Sequence, residues 1–105
     1  MAQFTLYKNL NPTSNETYPY FVDVQNDLLD SLNTRLVVPL VRSTCFHDKP
    51  IDTLCPTITQ DDGRYVLLTH QTTNIPVSAL STSVCSQEHL RDEIVAAIDF
   101  LVTGI

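Results

Sequence analysis

Apolar residues return every three or four positions from Ser86 to the end of the chain. Leu90, Ile94, Ala97, Ile98, Leu101, Val102 and Ile105 fall along one side of an α-helix, which predicts a helix over Ser86–Ile105 that needs a sheet to cover it. Ser86 suits the N-cap, Gln87 and Glu88 suit the positive end of the helix dipole, and Gly104 is the first helix breaker in the run. Phe100 projects roughly opposite Ile98, so burying its ring needs a second surface from this chain or another molecule. The last turn holds no Lys, Arg or His, and Asp99 and the terminal carboxylate add negative charge where the dipole is already negative. That end is either simply solvated or suited to a cationic partner.

Before the helix the period shortens to two. Gln3–Lys8 alternates Phe4 and Leu6 with polar neighbours and predicts a strand. Asn9–Thr17 is polar and loop-like, and Tyr18–Gln25 predicts a second strand with Tyr20, Val22 and Val24 on one face and Phe21 on the other. Asn26–Thr34 is rich in turn formers yet carries the adjacent pair Leu28 and Leu29. In an extended chain one of the two stays exposed, whereas a short helical turn has room to bury both. Arg35–Val41 is almost wholly apolar, as in a strand covered on both faces or at a subunit interface; Pro39 suggests a bulge or an edge there. Arg42–Leu54 reads as a second long loop, with Phe46 as an anchor beneath it. Cys55–Gln60 and Arg64–His70, joined through Asp61, Asp62 and Gly63, predict a hairpin. Gln71–Asn74 is a polar connection, Ile75–Leu80 a last short strand, and Ser81–Cys85 the lead into the helix. Strands first and one helix last predict an α+β fold, an antiparallel sheet or partly rolled barrel with the helix against it.

A chain of 105 residues with 43% hydrophobic content suits one domain, residues 1–105, and no apolar run is long enough to cross a bilayer. The N-terminus lacks the basic and apolar pattern of a secretory signal, so a cytoplasmic protein without a membrane role is expected. The net charge of -6, with six scattered Lys and Arg, argues against direct nucleic-acid binding and favours a partner with a basic patch. Cys45, Cys55 and Cys85 fit neither a disulfide framework nor a zinc site, so reduced thiols are expected.

Catalytic chemistry has little to stand on. His47, His70 and His89 sit in separate segments with no carboxylate or cysteine at metal-ligand spacing, no nucleophile motif is present, and two glycines leave no phosphate-cradling loop. Asp23, Asp27, Asp30, Asp61 and Asp62 are accounted for by turn formation. A non-enzymatic protein with no metal and no cofactor is expected.

Five segments taken together carry a family resemblance: Gln3-Phe4, then Phe21–Asp30 (FVDVQNDLLD), Arg35–Leu40 (RLVVPL), Ile75–Leu80 (IPVSAL), and a terminal helix ending in Gly104-Ile105. Their order and spacing resemble the CcdB family of toxins from bacterial toxin-antitoxin systems, over nearly the whole chain. The resemblance implies an SH3-like antiparallel β-barrel of the CcdB/MazF type, with a small additional sheet and a C-terminal helix, paired as a homodimer. It further implies binding to the A subunit of DNA gyrase and trapping of the cleaved DNA complex. Neutralisation comes from a CcdA-type antitoxin, through which alone the toxin reaches operator DNA. Carried onto matching positions, the gyrase-binding residues are Leu28, Leu29, Asp99, Val102, Thr103, Gly104 and Ile105. The long loops and hairpin suggest an antitoxin surface with Lys8, Phe46, Lys49, Arg64 and Tyr65. The best-known member of the family carries a Phe-Trp pair before its terminal Gly-Ile, where this chain has Val102-Thr103. Two alternatives accompany this expectation: an mRNA endoribonuclease of the MazF/Kid type, which shares the barrel, and a CcdB-like protein that no longer poisons gyrase.

Overall fold

In a computed structural model that describes residues 2–45, 54–60, 63–80 and 82–104, the two-residue periodicity becomes seven antiparallel strands. These are β1 (Thr5–Lys8), β2 (Tyr20–Asp23), β3 (Thr34–Arg42), β4 (Thr57–Gln60), β5 (Gly63–Leu67), β6 (Thr73–Pro76) and β7 (Ser83–Ser86), followed by the helix α1 (Arg91–Thr103). One sheet holds them in the order β4-β5-β3-β2-β1-β7, with β6 branching off β3, and it curls into a half-barrel with the helix against it. The α+β expectation is met.

The nine-residue β3 organises the sheet. One edge runs along β2, with Phe21 opposite Pro39 and Asp23 opposite Val37. The other edge changes partner: Thr34–Val37 pairs with β6 and Leu40–Arg42 with β5. Pro39 lies at that handover. Its carbonyl accepts the Leu68 amide at 2.9 Å, and because N–H and C=O of a strand residue share a side, its missing N–H faces the gap between the two partners. The proline therefore marks a change of neighbour in a central strand, where a bulge or an edge was expected.

Alternation divides the core. Phe4, Leu6, Val22, Val38, Leu40, Ile58, Tyr65 and Leu67 fill the inside of the curl together with Ile94 of α1, while Tyr7, Val37 and Leu80, with Phe21 and Ile75, pack on the opposite face near β6. A third group, Val41, Cys55, Val66 and Leu68, lies under Tyr18 and Leu54. The inner group does most of the stabilising, since each fully buried aliphatic or aromatic side chain contributes about 1.5–3 kcal/mol. Phe4 sits at φ 64° although it is not glycine. Burial of its ring, an amide bond to the Asp23 carbonyl and acceptance of the Gln87 amide hold it there.

Several boundaries move. The predicted helix start becomes β7: Ser86 pairs with Thr5, and its Oγ accepts the Glu88 amide at 3.2 Å at the start of a 3-10 turn, Glu88–Leu90. Ser86 thus bonds into the start of a turn whose N-cap position is Gln87, and α1 begins at Arg91 without a side-chain cap. Sequence pattern could not see the pull of the β1 edge, whose ladder takes Ser86 from the predicted helix and Ser83–Cys85 from the lead into it. Thr73 and Asn74 join β6, whereas Val77–Ala79 is a 3-10 turn and not the continuation of a strand. The hairpin is present, with Gln60 opposite Gly63 at φ 147°, and β5 gives way after Leu67 to a turn at Thr69–Gln71. Asp61, Asp62, Phe46, His47, Lys49 and Ile105 lie outside the described residues. Asn9, placed in an exposed loop by its neighbours, is buried: its Nδ2 donates to the Tyr18 carbonyl at 2.8 Å and to Ser14 Oγ at 3.0 Å, pinning the loop.

Candidate protein-binding surface

The turn between β2 and β3 presents apolar side chains and does not bury them. Asp27–Leu29 forms one 3-10 turn, with the Asn26 side chain accepting the Leu28 amide at 2.9 Å. Leu28 is 89% exposed, Leu29 50% and Leu32 49%. A helical turn does form, but it buries neither leucine. Leucines so exposed give up several kcal/mol of possible burial, at about 1.5–3 kcal/mol each.

What keeps this turn in shape lies beneath it. Alternation places Asp23, Gln25 and Arg35 on the Phe21 and Val37 face of the sheet, and both Asp23 and Arg35 are fully buried. Arg35 Nε donates to Asp23 Oδ2 at 2.8 Å, Nη1 to Asp30 Oδ1 at 2.7 Å, and Nη2 to the Gln25 carbonyl at 3.1 Å and Asp27 Oδ1 at 3.3 Å. Gln25 adds two bonds: its Oε1 accepts the Leu36 amide at 3.0 Å and its Nε2 donates to the Leu29 carbonyl at 3.1 Å. Gln3 approaches from the chain start, its amide donating to Asp27 Oδ1 at 2.9 Å. One guanidinium therefore reaches the strand, the turn and the loop beyond it, a task for which its planar fork is suited.

Burial pushes the Asp23 carboxyl above its ordinary value, outweighing the Arg35 hydrogen bond that pulls it down. For Arg35, desolvation acts to lower the pKa, but bonding to Asp23 and Asp27 wins and the guanidinium is held above its usual value. Sequence reasoning missed this network by assigning the aspartates to turn formation. A signal was available in Asp23, which interrupts an aromatic and branched strand on the same face as Phe21.

The helix end is the second exposed group. Ile94 and Ala97 are buried and Ile98 half-buried, but the stripe then runs out past the sheet, leaving Leu101 44% and Val102 77% exposed. Phe100 is half-buried, Asp99 and Thr103 are exposed, and Thr103 Oγ1 donates to the Asp99 carbonyl at 2.7 Å. Gly104 closes the helix in the left-handed region at φ 74°, its amide donating to the Phe100 carbonyl at 2.9 Å. Among the described residues, chain neighbours aside, nothing lies within 4 Å of where a Cβ would stand on Gly104, so the dihedral and not crowding calls for glycine. The leucine turn is tied to β3 and the chain start, whereas α1 rests near the Thr69–Gln71 turn. Separate elements with separate anchors carry the two groups.

Of the residues expected on the second surface, the three that are described, Lys8, Arg64 and Tyr65, are dispersed. Lys8 is exposed at the end of β1 with the inward parity of Leu6, while Arg64 is exposed on β5 with the opposite parity to Tyr65. Tyr65 is fully buried, edge-on to Tyr20 at 5.1 Å between ring centroids, with the Arg42 guanidinium 5.3 Å from its ring centre. As a direct contact for a partner, Tyr65 is corrected to a core residue; inward alternation on β5 puts it there. His70 and His89 are exposed, and no group of three or more potential metal ligands occurs among the described residues. Burial raises the Cys55 thiol pKa, and Cys85 is exposed in a cleft between β4 and β7, its Sγ 3.6 Å from Gln60 Oε1. No helix among the described residues is long and apolar enough to cross a membrane.

A family model described as the CcdB protein matches residues 3–104 of the 105-residue chain. Its extent takes in every strand, the leucine turn and the helix with its glycine cap, so the chain belongs to the CcdB family, the toxins of toxin-antitoxin systems.

Proposed function

We propose that this toxin acts as a homodimer that binds the A subunit of DNA gyrase and traps the cleaved DNA complex. The observation that carries the proposal is Leu28, 89% exposed on a turn whose base is locked by buried polar groups. An apolar side chain left in water on a hydrogen-bonded turn is an interaction anchor more readily than a packing residue. Leu29 extends that anchor, and Asp99, Val102, Thr103, Gly104 and Ile105 supply an acidic and apolar helix end that two-fold symmetry brings beside it. The acidic groups complement a basic partner and speed its encounter. No covalent step is assigned to any residue.

Neutralisation by a CcdA-type antitoxin, with operator DNA reached only through it, belongs to the same proposal, as do a single domain over residues 1–105 and a cytoplasmic setting. Lys8 and Arg64 are accessible candidates for the antitoxin. Their opposite parity fits a ligand that wraps around the sheet and does not sit on one side of it.

Val102-Thr103 supports a second reading, a family member that folds and dimerises but no longer poisons gyrase, because a large ring lost from a binding centre costs about 2 kcal/mol or more. A ribonuclease of the MazF/Kid type finds less support, since Arg35 is neutralised inside the fold and the remaining cations are scattered. Purified protein incubated with gyrase, supercoiled plasmid and ATP, and separately with RNA, distinguishes the three. Linear DNA after detergent and protease treatment is the expected result. RNA cleavage without linear DNA rejects the proposal, and neither product selects the second reading.

A further inference from the structure

The structure assigns to Arg35 the role of a positioning residue that presets the Leu28–Leu29 turn for its partner; the inference rests on the gyrase reading above. Arg35 is 0% exposed and so cannot touch another protein. Yet three of its hydrogen bonds end on the segment that displays the leucines: Asp30 at 2.7 Å, the Gln25 carbonyl at 3.1 Å and Asp27 at 3.3 Å. Another, to Asp23 at 2.8 Å, secures the guanidinium in the sheet. Asp27 and Asp30 are themselves 57% and 53% exposed, so the pairs at the outer end of the fork face water while its root is dry.

This division decides what Arg35 does. Leu28 gains little from burial and Leu29 only part, so polar contacts carry much of the ordering of the turn, and an anchor already in its bound shape avoids an ordering cost on binding. Gln25 closes the lower side by bonding both the Leu36 amide and the Leu29 carbonyl. A lysine at this position retains the buried charge beside Asp23 but lacks the fork needed to hold Asp27 and Asp30 at once.

The test uses the full-length protein and the purified A subunit of DNA gyrase. Amide hydrogen exchange is measured on free wild type and on Arg35→Lys, under conditions where denaturant titration shows both folded, and affinity is measured in parallel. The expected result is at least tenfold faster exchange in residues 27–33, unchanged exchange in β1 and β2, and at least tenfold weaker gyrase binding. Asp30→Asn, which removes the carboxylate charge at the exposed end of the fork, is the second variant should Arg35→Lys fail to fold; faster exchange in the turn is expected there too. Unchanged exchange in the turn, or faster exchange with unchanged affinity, overturns the assignment and leaves Arg35 a purely structural residue. A wild type that does not bind gyrase while its turn still loosens in Arg35→Lys overturns the gyrase reading and the positioning role with it, but for a separately visible reason.

Discussion

Arg35 and Leu28 are two sides of one residue-scale arrangement, a fully buried cation and a leucine in open water separated by one turn of chain. Arg35→Met leaves Asp23 buried without its cation and is expected to cost about 3–5 kcal/mol in urea titration near neutrality. The pH dependence has a definite sign. The folded Asp23 carboxyl already sits above its ordinary 3.8, so the stability linked to its proton is present below 3.8 and lost as pH rises through the raised value. Removing the guanidinium raises that value further. The penalty of Arg35→Met should therefore shrink on going from neutral pH into the acid carboxylate range; a penalty that grows on acidification contradicts the buried pair. Leu28→Ser has the opposite profile. With little native packing to lose it should change stability by no more than about 0.5 kcal/mol, while weakening gyrase binding at least tenfold in a titration, or about 1.4 kcal/mol. Equal affinity would remove the turn from the surface. The leucine pair is conspicuous in the sequence because two adjacent apolar residues interrupt a polar turn. Arg35 is not, because an arginine that opens an apolar strand reads as a surface terminus unless its partners, five to twelve residues away, are seen converging on it.

At the scale of elements, period and turn chemistry carry most of the information. The alternations around Phe4, Val22 and Leu40 and the hairpin closing on Gly63 are local properties, and they reappear as strands with the expected faces inward. Ser83–Ser86 and the Thr73-Asn74 half of β6 are illegible for the converse reason: each joins a strand by pairing with a distant edge, β1 or β3, while its own composition is polar or turn-like. The helix stripe is legible but overextended as a packing surface, because helical spacing cannot say where the underlying sheet stops. Its uncovered end makes two predictions. Thr103→Trp places a ring where the best-known CcdB carries one and, on the gyrase proposal, should strengthen binding about tenfold, or about 1.4 kcal/mol; weaker binding would show that this surface is arranged differently. Gly104→Ala should cost about 1 kcal/mol of helix-end stability, because an L-residue at φ 74° is strained even in open space, and exchange of the last helical amides reports it.

For the whole molecule, the acidic balance and the two exposed apolar groups predict how it associates. Light scattering at micromolar concentration should give the mass of a dimer, and a monomer mass would part the two helix ends that the gyrase proposal needs side by side. Added salt should slow capture of gyrase far more than it speeds release, since screening acts on long-range attraction between an acidic toxin and a basic surface and not on leucine contacts. The cap at Gly104 carries a stereochemical consequence beyond stability. A D-amino acid enters the left-handed region as easily as an L-residue enters the right-handed one, so a semisynthetic protein with D-alanine at 104 should retain the left-handed cap, whereas its L-epimer should strain it. Two proteins of identical composition, differing only in the handedness of one methyl-bearing carbon in each copy, would then separate the geometry of the cap from its chemistry.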